Sequence, residues 1–209
     1  MTRPDLMPLA EAERADLLAL LQGLTATQWQ APSLCSGWSV KDVATHIASY
    51  DELSKPALLG TFLRGGGSFA KVNDVALRRY ESLAADEVLD LLARNLRPSG
   101  LPAAFGGGIA LTDGTIHHQD IRRALGLLRT IPEDRLVPVL DFALGAPTLP
   151  AKKNAKGLKL TATDVDWTSG TGAEISGPGE SLLMALAGRP HALDELSGPG
   201  LSTLRTRIT

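Results

Sequence analysis

Residues 37–50 predict a helix with a histidine beside its apolar face, and this helix decides how the rest of the chain can pack. Ser39 followed three residues later by Asp42 is typical of an N-cap with an acidic partner, so we expect the helix to begin there. His46 then lies two turns into the helix. The apolar residues recur at the spacing that a helix bundle buries; they are Val40, Val43, Ala44 and Ile47. A histidine at the edge of such a face needs a polar partner.

A second segment, residues 111–126, offers that partner. If this segment is helical, Asp113 and His117 lie four residues apart on one face, and Gly114 leaves room for a close neighbour. Two such helices packed together bring His46, Asp113 and His117 to one point. Two imidazoles and a carboxylate, with coordination positions left open, are the ligands of a catalytic divalent metal site. The sequence therefore predicts a metal centre built by two helices.

The composition limits the class of protein. With 209 residues, 44% of them apolar, the chain can bury a substantial core. A formal net charge of −2 argues against a nucleic-acid-binding protein, whose affinity depends on concentrated positive charge. No stretch approaches the roughly 20 apolar residues of a membrane span, no signal peptide is recognisable, and the single cysteine, Cys35, cannot form an internal disulfide. We therefore expect a soluble, cytoplasmic protein that binds neither nucleic acid nor membranes.

The hydrophobic pattern predicts a helical N-terminal part and a mixed C-terminal part. Helical periodicity recurs along residues 9–21, 40–63, 72–83, 86–96, 111–126 and 132–144. After Gly145 the pattern changes, because residues 158–163 alternate as a strand does and further strands flank a turn at residues 169–172. Residues 180–186 are predicted to form a helix, whereas residues 201–208 are compatible with either a helix or a strand.

Three separated blocks of the sequence resemble the mycothiol-dependent maleylpyruvate isomerase family. The first is residues 37–43 leading to His46, the second is residues 117–126, and the third is residues 164–167 followed by Gly177-Pro178 and Gly188-Arg189. Their occurrence in the expected order makes the pattern more specific than any single block. The resemblance implies an α+β protein in which a DinB-like four-helix bundle, residues 1–148, precedes a small α/β domain, residues 149–209.

The resemblance also implies the metal ligands. The family holds a divalent metal, usually zinc, with a histidine of one helix and an acid-x3-histidine pair of another, which correspond to His46, Asp113 and His117. The family's acid is more often glutamate, so the shorter Asp113 requires a closer approach of the helices or binds the metal less well. His118 stands where the family often has glycine and is an alternative ligand to His117. On a helix it points about 100° away from His117, which favours an outer or exposed position.

Other residues are expected to orient the side chains of the metal ligands. Asp42, Asp120 and His118 are the candidates, because a carboxylate can orient a ligand imidazole through its other ring nitrogen. For Asp120, a solvated ion-pair cluster with the neighbouring arginines is the alternative. Cys35 is expected to be a half-buried loop cysteine, with a role as fourth ligand or redox thiol as the alternatives.

The predicted function is that of a divalent-metal-dependent enzyme that uses a low-molecular-weight thiol, mycothiol or a similar one, for isomerisation or S-transfer on a small molecule. The metal, not a protein nucleophile, is expected to carry the chemistry. Arg189, Arg205 and Arg207 are the candidates to bind a substrate carboxylate, since guanidinium pairs with carboxylate in a bidentate manner. Two alternatives stay open: a metal-dependent hydrolase that needs no thiol, and a non-catalytic member that binds a metal or ligand. We expect a monomer or a homodimer.

Overall fold

The computed structural model describes residues 4–64, 66 and 69–209. The chain divides into two compact units, Met1–Arg129 and Thr130–Thr209. The described part of the first unit is helical, and the second unit combines helices with a small sheet, which confirms the predicted α+β class. Among the described residues, no helix combines the length and hydropathy that a membrane span requires.

The first unit is built around a four-helix bundle. Its described helices are α1 (Met7–Gln22), α2 (Ala26–Gln30), α3 (Val40–Ser49), α4 (Lys55–Arg64), α5 (Phe69–Leu77), α6 (Ala85–Arg94) and α7 (Gly108–Ala124). Helices α1, α6, α3 and α7 form a ring in which each helix packs against the next. The bundle buries Leu17 and Leu21 of α1, Val43 and Ile47 of α3, Leu91 and Leu92 of α6 and Ile121 of α7.

Helix α3 begins where the sequence predicted and ends earlier. The Ser39 Oγ accepts a hydrogen bond from the Asp42 N–H at 3.2 Å, and the Asp42 carboxylate accepts one from the Ser39 N–H at 2.9 Å. The prediction of one helix continuing to residue 63 was wrong, because a 3₁₀ turn follows α3 and the backbone of Leu53 is extended before α4 begins. Pro56 explains the break, since proline disrupts a helix interior but fits the first turn of a new helix.

The second unit packs helices on a three-stranded sheet. Its elements are α8 (Glu133–Gly145), α9 (Ala151–Asn154), β1 (Leu158–Ala162), β2 (Thr168–Gly170), β3 (Ala173–Gly177), α10 (Gly179–Leu186) and α11 (Leu201–Ile208). The strand order is β2-β1-β3, with β1 antiparallel to β2 and parallel to β3. In this register Leu160 lies opposite Ser169 on one side and Ile175 on the other. The segment that was ambiguous between helix and strand forms α11.

The boundary between the two units lies at 129/130, whereas the sequence placed it at 148/149. Helix α8 accounts for the difference, because it packs against α9 and α10 of the second unit. Its Asp141 also accepts a hydrogen bond from the indole N–H of Trp167, at 2.8 Å. The periodicity of α8 revealed an amphipathic helix but not the core against which that helix packs.

Candidate metal centre

The contact between α3 and α7 brings His46, Asp113 and His117 together. The Nε2 atom of His46 lies 3.5 Å from one carboxylate oxygen of Asp113, and the Nε2 atom of His117 lies 3.5 Å from the other. The centroids of the two imidazole rings are 4.9 Å apart, and the ring planes are inclined by 83°. One potential ligand atom from each residue lies within 4.8 Å of the other two. Asp113 thus stands between the two imidazoles.

These separations fit a tetrahedral metal ion. Zinc binds nitrogen and oxygen ligands at about 2.0–2.2 Å, and tetrahedral angles then place neighbouring ligand atoms roughly 3.3–3.6 Å apart. Each imidazole Nε2 lies 3.5 Å from a different oxygen of the Asp113 carboxylate, and one ligand atom from each residue lies within 4.8 Å of the other two. Three protein ligands leave a position open, as catalytic zinc sites require. The donor set and its spacing therefore fit a divalent ion such as zinc.

The centre is buried on the histidine side and open on the aspartate side. The side chains of His46 and His117 are 6% and 12% exposed, whereas that of Asp113 is 42% exposed. Desolvation raises the pKa of Asp113, but the charges of His117 and His46 outweigh this and hold the pKa well below its usual range. For His117, burial lowers the pKa, but the Asp113 carboxylate and the hydrogen bond to Asp120 raise it to about 10. Without a metal, His117 is therefore a cation at neutral pH.

Asp120 accepts a hydrogen bond from the ring nitrogen of His117 that does not face Asp113. The Nδ1–H of His117 donates a hydrogen bond to Asp120 Oδ2 at 2.9 Å. The Asp120 side chain is fully buried, so the alternative of a solvated ion-pair cluster was wrong. This hydrogen bond holds the ring with Nε2 directed at Asp113, and it is the contact typical of a carboxylate that orients a ligand imidazole.

Aromatic side chains position His46. The indole of Trp38 lies 5.1 Å from the His46 ring and 6.3 Å from the His117 ring, measured between centroids. The ring of Tyr50 meets the His46 ring edge-on at 5.5 Å, and its hydroxyl donates to Asn73 at 2.6 Å. Among the described residues, the buried Nδ1 of His46 has no hydrogen-bond partner, so packing against Trp38 and Tyr50 sets its orientation. Tyr50 was not predicted as a site residue, although its position four residues after His46 was the available signal.

Two residues predicted to support the ligands have other contacts. The Asp42 carboxylate accepts hydrogen bonds from the N–H and Oγ of Ser39, at 2.9 and 2.7 Å, and so caps α3. His118 is fully buried, and its Nδ1 lies 2.8 Å from Glu13 of α1. The predictions that Asp42 and His118 orient a ligand imidazole were wrong, and so was the alternative that His118 replaces His117 as a ligand. The physical reasons are that the capping bond satisfies Asp42 and that one step along α7 turns the side chain away from α3.

The three arginines predicted to bind substrate lie in the second unit. Arg189 and Arg207 donate hydrogen bonds to backbone carbonyl groups, at 2.9 and 2.6 Å, and Arg205 lies 3.5 Å from Asp194. All of these described contacts are made within the second unit. Binding of a substrate carboxylate by these arginines stays a prediction.

Comparison with known proteins finds one matching family model and two similar solved structures. Residues 10–97 match the family described as Mycothiol maleylpyruvate isomerase N-terminal domain. Two similar crystal structures are a mycothiol-dependent maleylpyruvate isomerase and its histidine-to-alanine mutant, with TM-scores of 0.59 and 0.60 and 16% identity; each comparison covers 92% of this chain and 91% of the other. No curated protein sequence matches the chain significantly. The fold is thus shared with these structures over nearly the whole chain, and residues 10–97 are similar to the N-terminal domain of the mycothiol maleylpyruvate isomerase family.

Proposed function

We propose that this chain is a metal-dependent enzyme that uses a low-molecular-weight thiol of the mycothiol type for isomerisation or S-transfer on a small molecule. The observation that carries the proposal is the 3.5 Å spacing of the two imidazoles around the half-exposed Asp113. The thiol is proposed because the matching family model is named for mycothiol, and the two similar structures are described as mycothiol-dependent.

His46, Asp113 and His117 would hold the metal, and zinc best suits two imidazoles and one carboxylate. When bound, zinc supplies the positive charge that lowers the pKa of a thiol, so that the thiolate is present at neutral pH. A thiolate that adds to an activated carbon–carbon double bond leaves a single bond that can rotate, and collapse of the resulting enolate re-forms the double bond and expels the same thiolate. Displacement of a leaving group by the same thiolate would be an S-transfer.

The protein's own contribution is to orient the ligands and to limit the access of water. Asp120 keeps the Nδ1 proton of His117 and so directs Nε2 to the centre. The indole of Trp38 lies beside the rings of both histidines, and the ring of Tyr50 lies against that of His46. The exposed edge of Asp113 is the side from which thiol and substrate would approach. A substrate that carries a carboxylate would suit the predicted role of Arg189, Arg205 and Arg207.

The test is turnover by zinc-loaded protein with and without mycothiol. Maleylpyruvate is the probe for isomerisation, and a halogenated aromatic electrophile is the probe for S-transfer. We expect turnover that requires both zinc and thiol, that is lost in Asp113→Asn, and that is retained in His191→Asn, a change to a histidine of the second unit. Turnover without thiol would contradict the proposal and support the hydrolase alternative. Zinc binding with no turnover of either probe would support a non-catalytic binding protein.

A further inference from the structure

We infer that the thiol of Cys35 is a positioning group of the metal centre. Together with Asp120 it fixes the ring of His117, which makes the loop between α2 and α3, residues 31–39, a structural part of the centre. The inference rests on the proposed binding of a metal by His46, Asp113 and His117. Cys35 is the single cysteine of the chain, and the chemistry proposed above does not use it.

The side chains of Cys35, Asp120 and His117 form a closed triangle. The thiol of Cys35 donates to Asp120 Oδ2 at 3.1 Å, and the same oxygen accepts the Nδ1–H of His117 at 2.9 Å. The third side of the triangle, from the sulfur to Nδ1, is 3.4 Å. A fully buried carboxylate must be satisfied by donors of the protein. The imidazole and the thiol both supply such donors, so the thiol helps to fix the oxygen that holds His117.

The loop is braced in a way that keeps the thiol against α7. The N–H of Leu34 donates to the backbone carbonyl of Asp120 at 3.3 Å. Ser33 Oγ accepts a hydrogen bond from the N–H of Cys35 at 3.1 Å and donates to the carbonyl of Trp38 at 2.8 Å. The indole of Trp38 then lies beside both ligand imidazoles. The loop therefore contacts both helices that carry the proposed ligands.

A separate metal site at Cys35, His117 and Asp120 is the competing interpretation, since these three residues also offer suitable ligand atoms. Two of the separations, 2.9 and 3.1 Å, are those of hydrogen bonds. Ligand atoms around a tetrahedral zinc lie roughly 3.3–3.6 Å apart, and farther when sulfur is one of them. The short distances therefore favour hydrogen bonds over a second metal.

The test compares three variants of the full chain: Cys35→Ala, Cys35→Ser and the control Ser33→Ala. Zinc affinity is measured by competition with a chromophoric chelator, the ligand environment is followed in the absorption spectrum of the cobalt(II)-substituted protein, and circular dichroism checks that each variant folds. We expect Cys35→Ala to bind zinc about tenfold more weakly, at the lower end of the range for groups behind a ligand histidine, with shifted cobalt bands. Cys35→Ser retains a donor and should recover most of the affinity. Ser33→Ala removes one brace of the loop but keeps the thiol, and should therefore lower the zinc affinity less than Cys35→Ala does.

Three results would overturn the inference, and they differ from failure of the proposed function. Unchanged affinity and spectrum in Cys35→Ala would show that the thiol does not position His117. An equal loss in Ser33→Ala would assign the effect to the stiffness of the loop. A thiolate-to-cobalt charge-transfer band in the wild type, lost in both Cys35 variants, would make Cys35 a ligand. If the wild type binds neither zinc nor cobalt, the proposed metal centre itself fails, and this inference fails with it.

Discussion

A buried ion pair joins α1 to the last residue of the first unit, and we expect the bundle to depend on it. Glu13 of α1 is 1% exposed, and its two carboxylate oxygens accept hydrogen bonds from Arg129 at 2.6 and 2.5 Å. His118 of α7 donates to the same carboxylate at 2.8 Å. The substitution Glu13→Gln keeps the shape of the side chain but leaves the Arg129 guanidinium buried without this counter-charge.

These contacts set the expected loss in the free energy of unfolding. Removing one partner of a buried ion pair costs about 3–5 kcal/mol. Two features place the cost of Glu13→Gln near the lower end of this range. Glutamine keeps one acceptor oxygen, and the half-exposed Asp16 lies 3.7 Å from Arg129. We therefore expect the free energy of unfolding to fall by about 3 kcal/mol. For a unit of this size the melting temperature would fall by about 10 °C.

The assay is urea unfolding of the metal-free protein, followed by circular dichroism. Glu11→Gln is the matched control, because Glu11 lies on the same helix and pairs with Arg97 at 3.3 Å, with side chains that are 45% and 67% exposed. Exposed pairs contribute about 0.2–1 kcal/mol. Equal losses of stability in the two variants would refute the reasoning.

The loss caused by Glu13→Gln should also depend on pH. Burial raises the pKa of Glu13, but the hydrogen bonds from Arg129 and His118 outweigh it and hold the pKa well below its usual range. A carboxyl with a lower pKa in the folded state contributes stability above its unfolded pKa, about 4.5, and this contribution is lost as the pH falls. The stability difference between wild type and variant should therefore be largest above about pH 5. A difference that grows on acidification would contradict this explanation.

Two further predictions concern α3 and the ligands. Ser39→Ala removes the N-cap of α3 and should lower the free energy of unfolding by about 0.5–2 kcal/mol in urea unfolding; no change would show that the cap does not stabilise the helix. For His117, burial lowers the pKa, but the Asp113 charge and the hydrogen bond to Asp120 raise it to about 10. Zinc that binds at pH 7–8 must therefore displace a proton from this imidazole. Calorimetry in buffers of different ionisation enthalpy should detect release of about one proton per zinc bound, and release of none would contradict the protonated state.

The sequence predicted those features that depend on neighbours along the chain. The start of α3 followed from Ser39 and Asp42, and the capping bonds confirm it. The end of α7 followed from Gly126, whose φ of 68° is the left-handed conformation that glycine adopts after a helix. The spacing of Asp113 and His117 placed them on one face of α7. Periodicity and capping were therefore sufficient to predict the start of α3, the end of α7 and the shared face of Asp113 and His117, but not the end of α3.

Contacts between distant segments could not be predicted in this way. The partner of His118 is Glu13, 105 residues away, and the contact of Cys35 with Asp120 spans 85 residues. Asp42 shows that helical spacing can also mislead over short distances. The spacing placed Asp42 on the same face as His46, but it did not reveal that the carboxylate turns back to Ser39. Periodicity gives the face of a helix, whereas the partner depends on which helices pack together.

The metal content of protein purified without a histidine tag shows whether His46, Asp113 and His117 form a metal centre. Elemental analysis of the wild type, His46→Ala and the control His191→Asn after zinc loading and desalting gives the number of ions per chain. We predict about one zinc ion per chain in the wild type and in His191→Asn, and none in His46→Ala, because two ligands do not hold zinc as firmly as three. A wild type that binds no zinc, or a His46→Ala variant that keeps it, would contradict the assignment of the centre.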